Sequence, residues 1–210
     1  MRKSQSQSAS ALGGAVPTNG ADEFIEMQKP YRAEISIEGT TPILFHAWNV
    51  EAVEAQQSAK KGSKERKTDN VEPFVYRDES GEICIPGSYI RGALVGAAKF
   101  LQDPRSARKS ACDLFKAAII PITRLATLGT KQWDYIDRQR VTIQKNSVTR
   151  SRPAFHEGWK VKFVVQVNLP GYVPAKLLHE AVVGAGMFCG IGDFRPTYGQ
   201  FRVTKFEVLH

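Results

Sequence analysis

The segment Gly190-Ile-Gly-Asp-Phe-Arg-Pro-Thr-Tyr-Gly-Gln-Phe201 gathers residue types suited to a ligand surface. Gly190, Gly192 and Gly199 lack a Cβ, so the chain can take positive φ there and let another backbone come close. Arg195 sets a fixed cation at the centre, and Tyr198 and Phe201 add flat rings. Bendable backbone, cation and rings together suit a phosphate chain with exposed bases. The competing interpretation is a tight structural turn that closes a domain.

A second such place is Ile85-Pro-Gly-Ser-Tyr-Ile-Arg-Gly-Ala-Leu94, where a predicted strand ends and a predicted helix begins. A helix N-terminus offers free N–H groups and a positive dipole to a phosphate. Ser88 is expected to N-cap that helix. Its hydroxyl and Arg91, one turn in, would reinforce a bound phosphate, whereas Ser88 taken alone reads as a plain N-cap. Lys60, Lys61, Lys64, Arg66 and Lys67 form a basic run with no apolar face. Such a run is either a loop kept for solubility or a grip on a polyanion. Arg138 and Arg140 share one face of a predicted strand, with Phe155 and Trp159 following. That surface suits single-stranded RNA, or is an ordinary charged outer sheet face.

Other chemistries find no support. His156, His179 and His210 show no metal-ligand spacing with one another. Gly184-Ala-Gly-Met-Phe-Cys189 lacks the third glycine of a dinucleotide fingerprint and follows a helix rather than a strand. Neither a Walker A sequence nor a GxSxG elbow is present. No cofactor is expected, save Mg2+ if the protein is a nuclease.

These residues must be positioned by a chain of 210 residues, the size of one domain with a tail or an insertion. Its 42% hydrophobic content suffices for a core. Lys and Arg number 29 against 21 Asp and Glu, and the net charge of +8 favours an anionic partner. Cys84, Cys112 and Cys189 are odd in number and far apart, as expected of reduced thiols in a cytoplasmic protein. No secretory signal or membrane-spanning run is expected.

Residues 1–29 read as a flexible tail and 30–210 as one domain, with a basic insertion at about 49–72 that opens on a short helix, Glu51 to Ala59. Tyr31, Ala33, Ile35 and Ile37 alternate with polar residues, a half-buried strand. Phe74-Val-Tyr76 and Glu82-Ile-Cys-Ile85 flank a turn and predict a hairpin. A helix follows from Ser88 with Ile90, Leu94, Ala98 and Leu101 on one face. Asp103-Pro104 is expected to open a second helix, with Ala107, Ala111, Leu114, Phe115 and Ala118 inward and Arg105, Arg108 and Lys109 outward. Strands are expected at Ala118–Ile122, Arg138–Lys145 and about 160–167. A helix then runs from Pro174 through Ala185, and a final strand covers Phe201 to Leu209. Without insertions the order is β-α-β-β-α-β, an α+β ferredoxin-like (RRM-like) sandwich with an antiparallel sheet.

The two glycine-bearing blocks, in this order, resemble the RAMP superfamily, and within it the backbone subunits of RNA-targeting (type III-like) CRISPR effector complexes. Pro86, Gly87, Ser88, Arg91, Gly92 and Leu94 match that family's strand-to-helix element. Gly190, Gly192, Gly199 and Phe201 match its late glycine-rich loop, and the hairpin before Pro86 is similar too. The resemblance covers about residues 31–209. It implies a protein that polymerises head to tail along a guide RNA, meets other effector subunits and helps to capture complementary target nucleic acid. An insertion in such proteins disrupts the guide–target duplex, and the basic 60–67 stretch lies where such devices occur. RNA-binding residues implied are Ser88, Arg91, Gly190, Gly192, Arg195, Tyr198 and Gly199, with part of the 60–67 run.

Some relatives cleave RNA, and two catalytic alternatives follow. A carboxylate just before the hairpin could orient Mg2+ on a scissile phosphate; Glu72, or Asp69 before it, stands there, where the family usually has Asp. Related ribonucleases process guide RNA with a histidine after the first strand, where His46 sits between Phe45 and Trp48. A solvated loop acid and a packed core histidine are the plainer interpretations. A further alternative is a stand-alone RAMP-like interaction protein of a phage or mobile element.

Overall fold

The computed structural model describes residues 28–47, 71–143 and 146–209. The tail to residue 27, the expected Glu51–Ala59 helix, Asp69 and the basic residues Lys60, Lys61, Lys64, Arg66 and Lys67 lie outside the described residues.

Strand β1 (Tyr31–Gly39) follows the alternation in its sequence, with Ala33, Ile35 and Ile37 fully buried. Both residues of strand β2 (Ile43–Leu44) are buried. The expected hairpin forms from β3 (Tyr76–Arg77) and β4 (Ile83–Pro86), closed by Asp78, whose carboxylate accepts from the amides of Ser80 and Glu82. Helix α1 (Gly87–Ala97) buries Ile90, Ala93, Leu94 and Ala97 on one face. It starts earlier than expected. Pro86, extended at φ −65 and ψ 141, is the N-cap residue, no side chain caps it, and Ser88 lies inside the first turn.

The expected second helix is mostly a β-ribbon. Strands β5 (Gln102–Asp103) and β6 (Ser106–Ser110) pair, and only α2 (Cys112–Ala118) is helical. The Asp103 carboxylate decides this. It accepts from the backbone amide of Arg105 at 2.9 Å and grips the Arg105 guanidinium, which turns the chain back where a helix would continue. That guanidinium holds the Asp103 carboxyl down at about 2. Arg105, Arg108 and Lys109 stay exposed, on the ribbon rather than on a helix.

Strands β7 (Ile119–Pro121), β8 (Leu125–Thr127), β9 (Tyr135–Ile143), β10 (Asn146–Phe155) and β11 (Lys160–Val167) follow. Helix α3 (Ala175–Gly184) and β12 (Phe201–Leu209) complete the chain. Four strands form the central sheet in the order β12-β1-β11-β7, every neighbour antiparallel. With α1 between β1 and β7 and α3 between β11 and β12, this is the ferredoxin-like α+β arrangement. Ala33, Ile35 and Ile37 sit opposite Val165, Phe163 and Val161 and form one core with α1 and α3. A fully buried Ile or Phe contributes about 1.5–3 kcal/mol of transfer free energy. Smaller sheets, β2-β10-β9 and β3-β4-β8, flank that core.

The other face of the central sheet carries charge. Glu34 meets Lys162 and Lys205, and Glu38 meets Arg202. On that face β1 and β11 present Arg32, Glu34, Ser36, Glu38, Lys160, Lys162, Val164 and Gln166, none of them aromatic.

Candidate nucleic-acid interface

Ser88, Gly92 and Gly96 recur at helical spacing along α1, on the side away from its apolar face. The glycine-rich loop runs past this stripe. Between them lies an open groove of about 620 Å³, bordered by Gly92, Gly96 and Lys99 on one side and Gly192 to Pro196 on the other. Two sequence blocks far apart along the chain thus meet at one place. A Cβ added to Gly92 would enter open space, so the helix backbone itself is accessible there. Lys99 and Arg195 are exposed and bring positive charge to the groove.

The loop keeps its course through backbone clamps. Ile191 donates to Gly199 at 2.9 Å, Gly199 to Pro42 at 2.8 Å and Asp193 to Leu44 at 2.9 Å. These clamps require close approach. A Cβ on Gly199 would fall 1.7 Å from the Ile191 carbonyl oxygen, at a φ of +74. At Gly192, with φ +88, it would fall 2.7 Å from the Leu44 carbonyl oxygen. Gly190 also takes positive φ. Tyr198 accepts a hydrogen bond from Gln139 Nε2 at 2.8 Å, which ties the loop to β9.

Behind the loop lies a polar cluster. Arg152 is only 3% exposed, makes an ion pair with Asp193, and holds its guanidinium 4.0 Å from the centroid of the Phe194 ring. Arg152 Nη1, Asp137 Oδ2 and His46 Nδ1 are buried polar atoms without a hydrogen-bond partner among the described residues. His46 packs on Phe74, ring centroids 4.9 Å apart. Burial pushes the His46 imidazole below its ordinary pKa; Arg152 and Arg150 push the same way and Asp193 opposes. The histidine packs against Phe74 and does not line the groove.

Other expected site residues are placed elsewhere. Arg91 does not border the groove. Its Nε donates to the Ile119 carbonyl at 3.0 Å and its Nη2 to the Lys116 carbonyl at 2.6 Å. It thereby closes the C-terminal end of α2. Glu72 is bidentate to Arg77, which also donates to the carbonyls of Gly81 and Lys131. That guanidinium holds the Glu72 carboxyl below its usual range. Among the described residues, no three His, Cys, Asp or Glu side chains gather to hold a metal ion. Arg138 and Arg140 are exposed on one face of β9, opposite Ser151 and Thr149 of β10, and do not border the groove.

Lys99 was not anticipated as a site residue, although it extends the Ser88-Gly92-Gly96 stripe and could have been found by following that spacing. Phe188 and Cys189 also border the groove. Their signal was the glycine pair at 184 and 186.

No family model matches the sequence, and no curated protein matches it. Solved structures do. One is a chain of a type III-B Cmr-beta complex bound to cognate target RNA, determined by cryo-EM, at 13% identity and a TM-score of 0.52. The match covers 86% of this chain and 61% of that one, so this protein spans about three fifths of its neighbour's length. Another lies in a crystal structure of a Csm3-Csm4 subcomplex of a type III-A CRISPR-Cas interference complex. It has 16% identity and a TM-score of 0.39, and covers 85% of this chain and 77% of that one. The first match establishes a fold shared with that chain, in keeping with the α+β ferredoxin-like class expected from the order of the elements.

Proposed function

We propose that this protein is an RNA-binding subunit of a type III-like CRISPR ribonucleoprotein. It holds guide RNA by the sugar–phosphate backbone in the groove between α1 and the glycine-rich loop. The observation that carries this is the groove itself: Gly92 and Gly96 face Gly192 to Pro196, with Lys99 and Arg195 beside them. Exposed backbone and fixed cations bind phosphates without reading sequence. The fold shared with a chain of an RNA-bound type III complex supports the reading, as does the net charge of +8. Backbone binding of this kind needs no metal or cofactor. In this reading copies stack head to tail along the guide, meet other effector subunits and help to capture target nucleic acid. Ser88, exposed in the first turn of α1, contributes its hydroxyl to the same RNA.

The test is purification at moderate salt, with sizing and sequencing of any RNA retained. The expected result is a particle larger than the chain that protects RNA of regular length. A nucleic-acid-free monomer that also ignores added single-stranded RNA would sink the proposal.

A further inference from the structure

The glycines of Gly184-Ala-Gly-Met-Phe-Cys189 serve no dinucleotide motif, and the structure gives them another use. Helix α3 runs past Gly184 into a π turn, Ala185–Cys189. Such turns shift side chains off the α-helical register and recur at functional sites. This one turns Phe188 outward, 44% exposed, beside Met187 at 66%. Phe100, just beyond the C-terminal end of α1, is 73% exposed. The two phenyl rings meet edge to face with centroids 5.1 Å apart. The Phe188 ring also lies close over Gly184, where an added Cβ would fall 2.6 Å from its Cζ. A missing side chain on α3 and a second ring thus hold one exposed aromatic in place.

An exposed apolar patch of this kind marks an interaction site. Its company says with what. Phe188 lines the same groove as Lys99 and Arg195. An apolar protein segment would cover the rings and leave those cations unanswered. A duplex would answer the cations and keep its bases stacked. An unpaired strand supplies phosphates for the cations and a free π-face for the ring.

We propose that Phe188, braced by Phe100, is a stacking platform for an unpaired base of RNA lying in the groove, so that the groove prefers single strands to duplex. This rests on the groove being the RNA site. The experiment measures affinity of the full chain for a single-stranded oligouridylate, an abasic strand of the same length and a duplex. The proteins compared are wild type, Phe188→Leu, Phe188→Tyr, Lys99→Ala and Arg195→Ala, each checked for thermal unfolding.

Phe188→Leu is expected to weaken oligouridylate binding about 5- to 100-fold, leave the abasic strand unchanged and erase the preference over duplex. Phe188→Tyr keeps wild-type behaviour. Lys99→Ala and Arg195→Ala weaken the base-bearing and abasic strands alike. If Phe188→Leu fails to fold, a 2-aminopurine in the strand reports instead: stacking on the wild-type ring quenches it, and absence of quenching overturns the platform. Equal affinities for base-bearing RNA in wild type and Phe188→Leu, with both cation variants weakened, overturn the platform and leave the groove. Affinities unchanged in all variants remove the groove and the platform together. Unchanged RNA affinity with loss of a protein oligomer in Phe188→Leu would make the patch a subunit contact and overturn the proposal.

Discussion

Arg91 and His46 show how far a residue's type can travel from its expected role. Arg91 stands one turn into a helix, where an anion-binding cation is natural, yet its guanidinium is spread over the Ile119 and Lys116 carbonyls. Spacing along α1 places its Cα; only the return of the chain through α2 brings those two carbonyls within reach. His46 follows the first strand, where an acid–base residue would serve RNA cleavage, and instead packs on Phe74. Its burial has a consequence for stability. The folded-state pKa lies below the ordinary 6.5, so below that pH the unfolded chain binds the proton more readily than the folded one. His46 therefore costs no stability above about pH 6.5 and an increasing amount as pH falls below it. Urea unfolding of wild type and His46→Gln between pH 5 and 8 checks this. The wild-type midpoint should fall below pH 6.5 relative to that of the variant, and a constant difference between them would remove the histidine from the balance.

At the scale of elements, the glycine-rich loop behaves as a clamp before it can behave as a binding loop. Gly199 sits where a Cβ would overlap the Ile191 carbonyl, and its φ of +74 disfavours any other residue. The obstacle is backbone on both sides, so it cannot rotate away. Gly199→Ala is expected to cost at least about 2 kcal/mol, combining overpacking with positive-φ strain. A shift of the urea midpoint at unchanged slope would show it, and a variant as stable as wild type would contradict the clamp. Much of this element level was legible in sequence. β1 and β11 follow their alternation, β12 forms where a final strand is expected, and α3 begins after Pro174 as its helix signals say. The failures share a cause, a local bond that outweighs periodicity. Asp103 captures the Arg105 amide and makes a ribbon of an expected helix. Pro86 sets the entry to α1, so Ser88 loses the capping role that its residue type suggests. The π turn after Gly184 has a different cause: Gly186 packs against the Phe201 backbone of β12, a tertiary contact that periodicity does not carry.

At the scale of the whole molecule, the fold offers two surfaces to an anionic partner, and charge arrangement separates them. In an RRM-like protein the open face of the sheet is the natural RNA platform, because rings on its strands stack bases. Here that face lacks such rings on β1 and β11, and several of its cations are already answered. Lys162 and Lys205 meet Glu34, Lys205 also meets Glu207, and Arg202 meets Glu38. A phosphate binding there would have to displace carboxylates that stay close by. On the opposite side of the core, Lys99 and Arg195 flank exposed helix backbone and a ring. RNA should therefore lie along α1 and leave the sheet face bare. Each phosphate contact removed from a single strand lowers the slope of log K against log salt by about 0.7. Lys99→Ala and Arg195→Ala should each lower the slope by about that amount. Lys162→Ala and Lys205→Ala should leave it unchanged, since each frees a carboxylate rather than losing a phosphate. Fluorescence anisotropy of a labelled single strand, titrated at several salt concentrations, reads both sets of variants. A slope that falls with Lys162→Ala and Lys205→Ala but not with the groove variants would move the RNA to the sheet and return the glycine-rich loop to a purely structural turn.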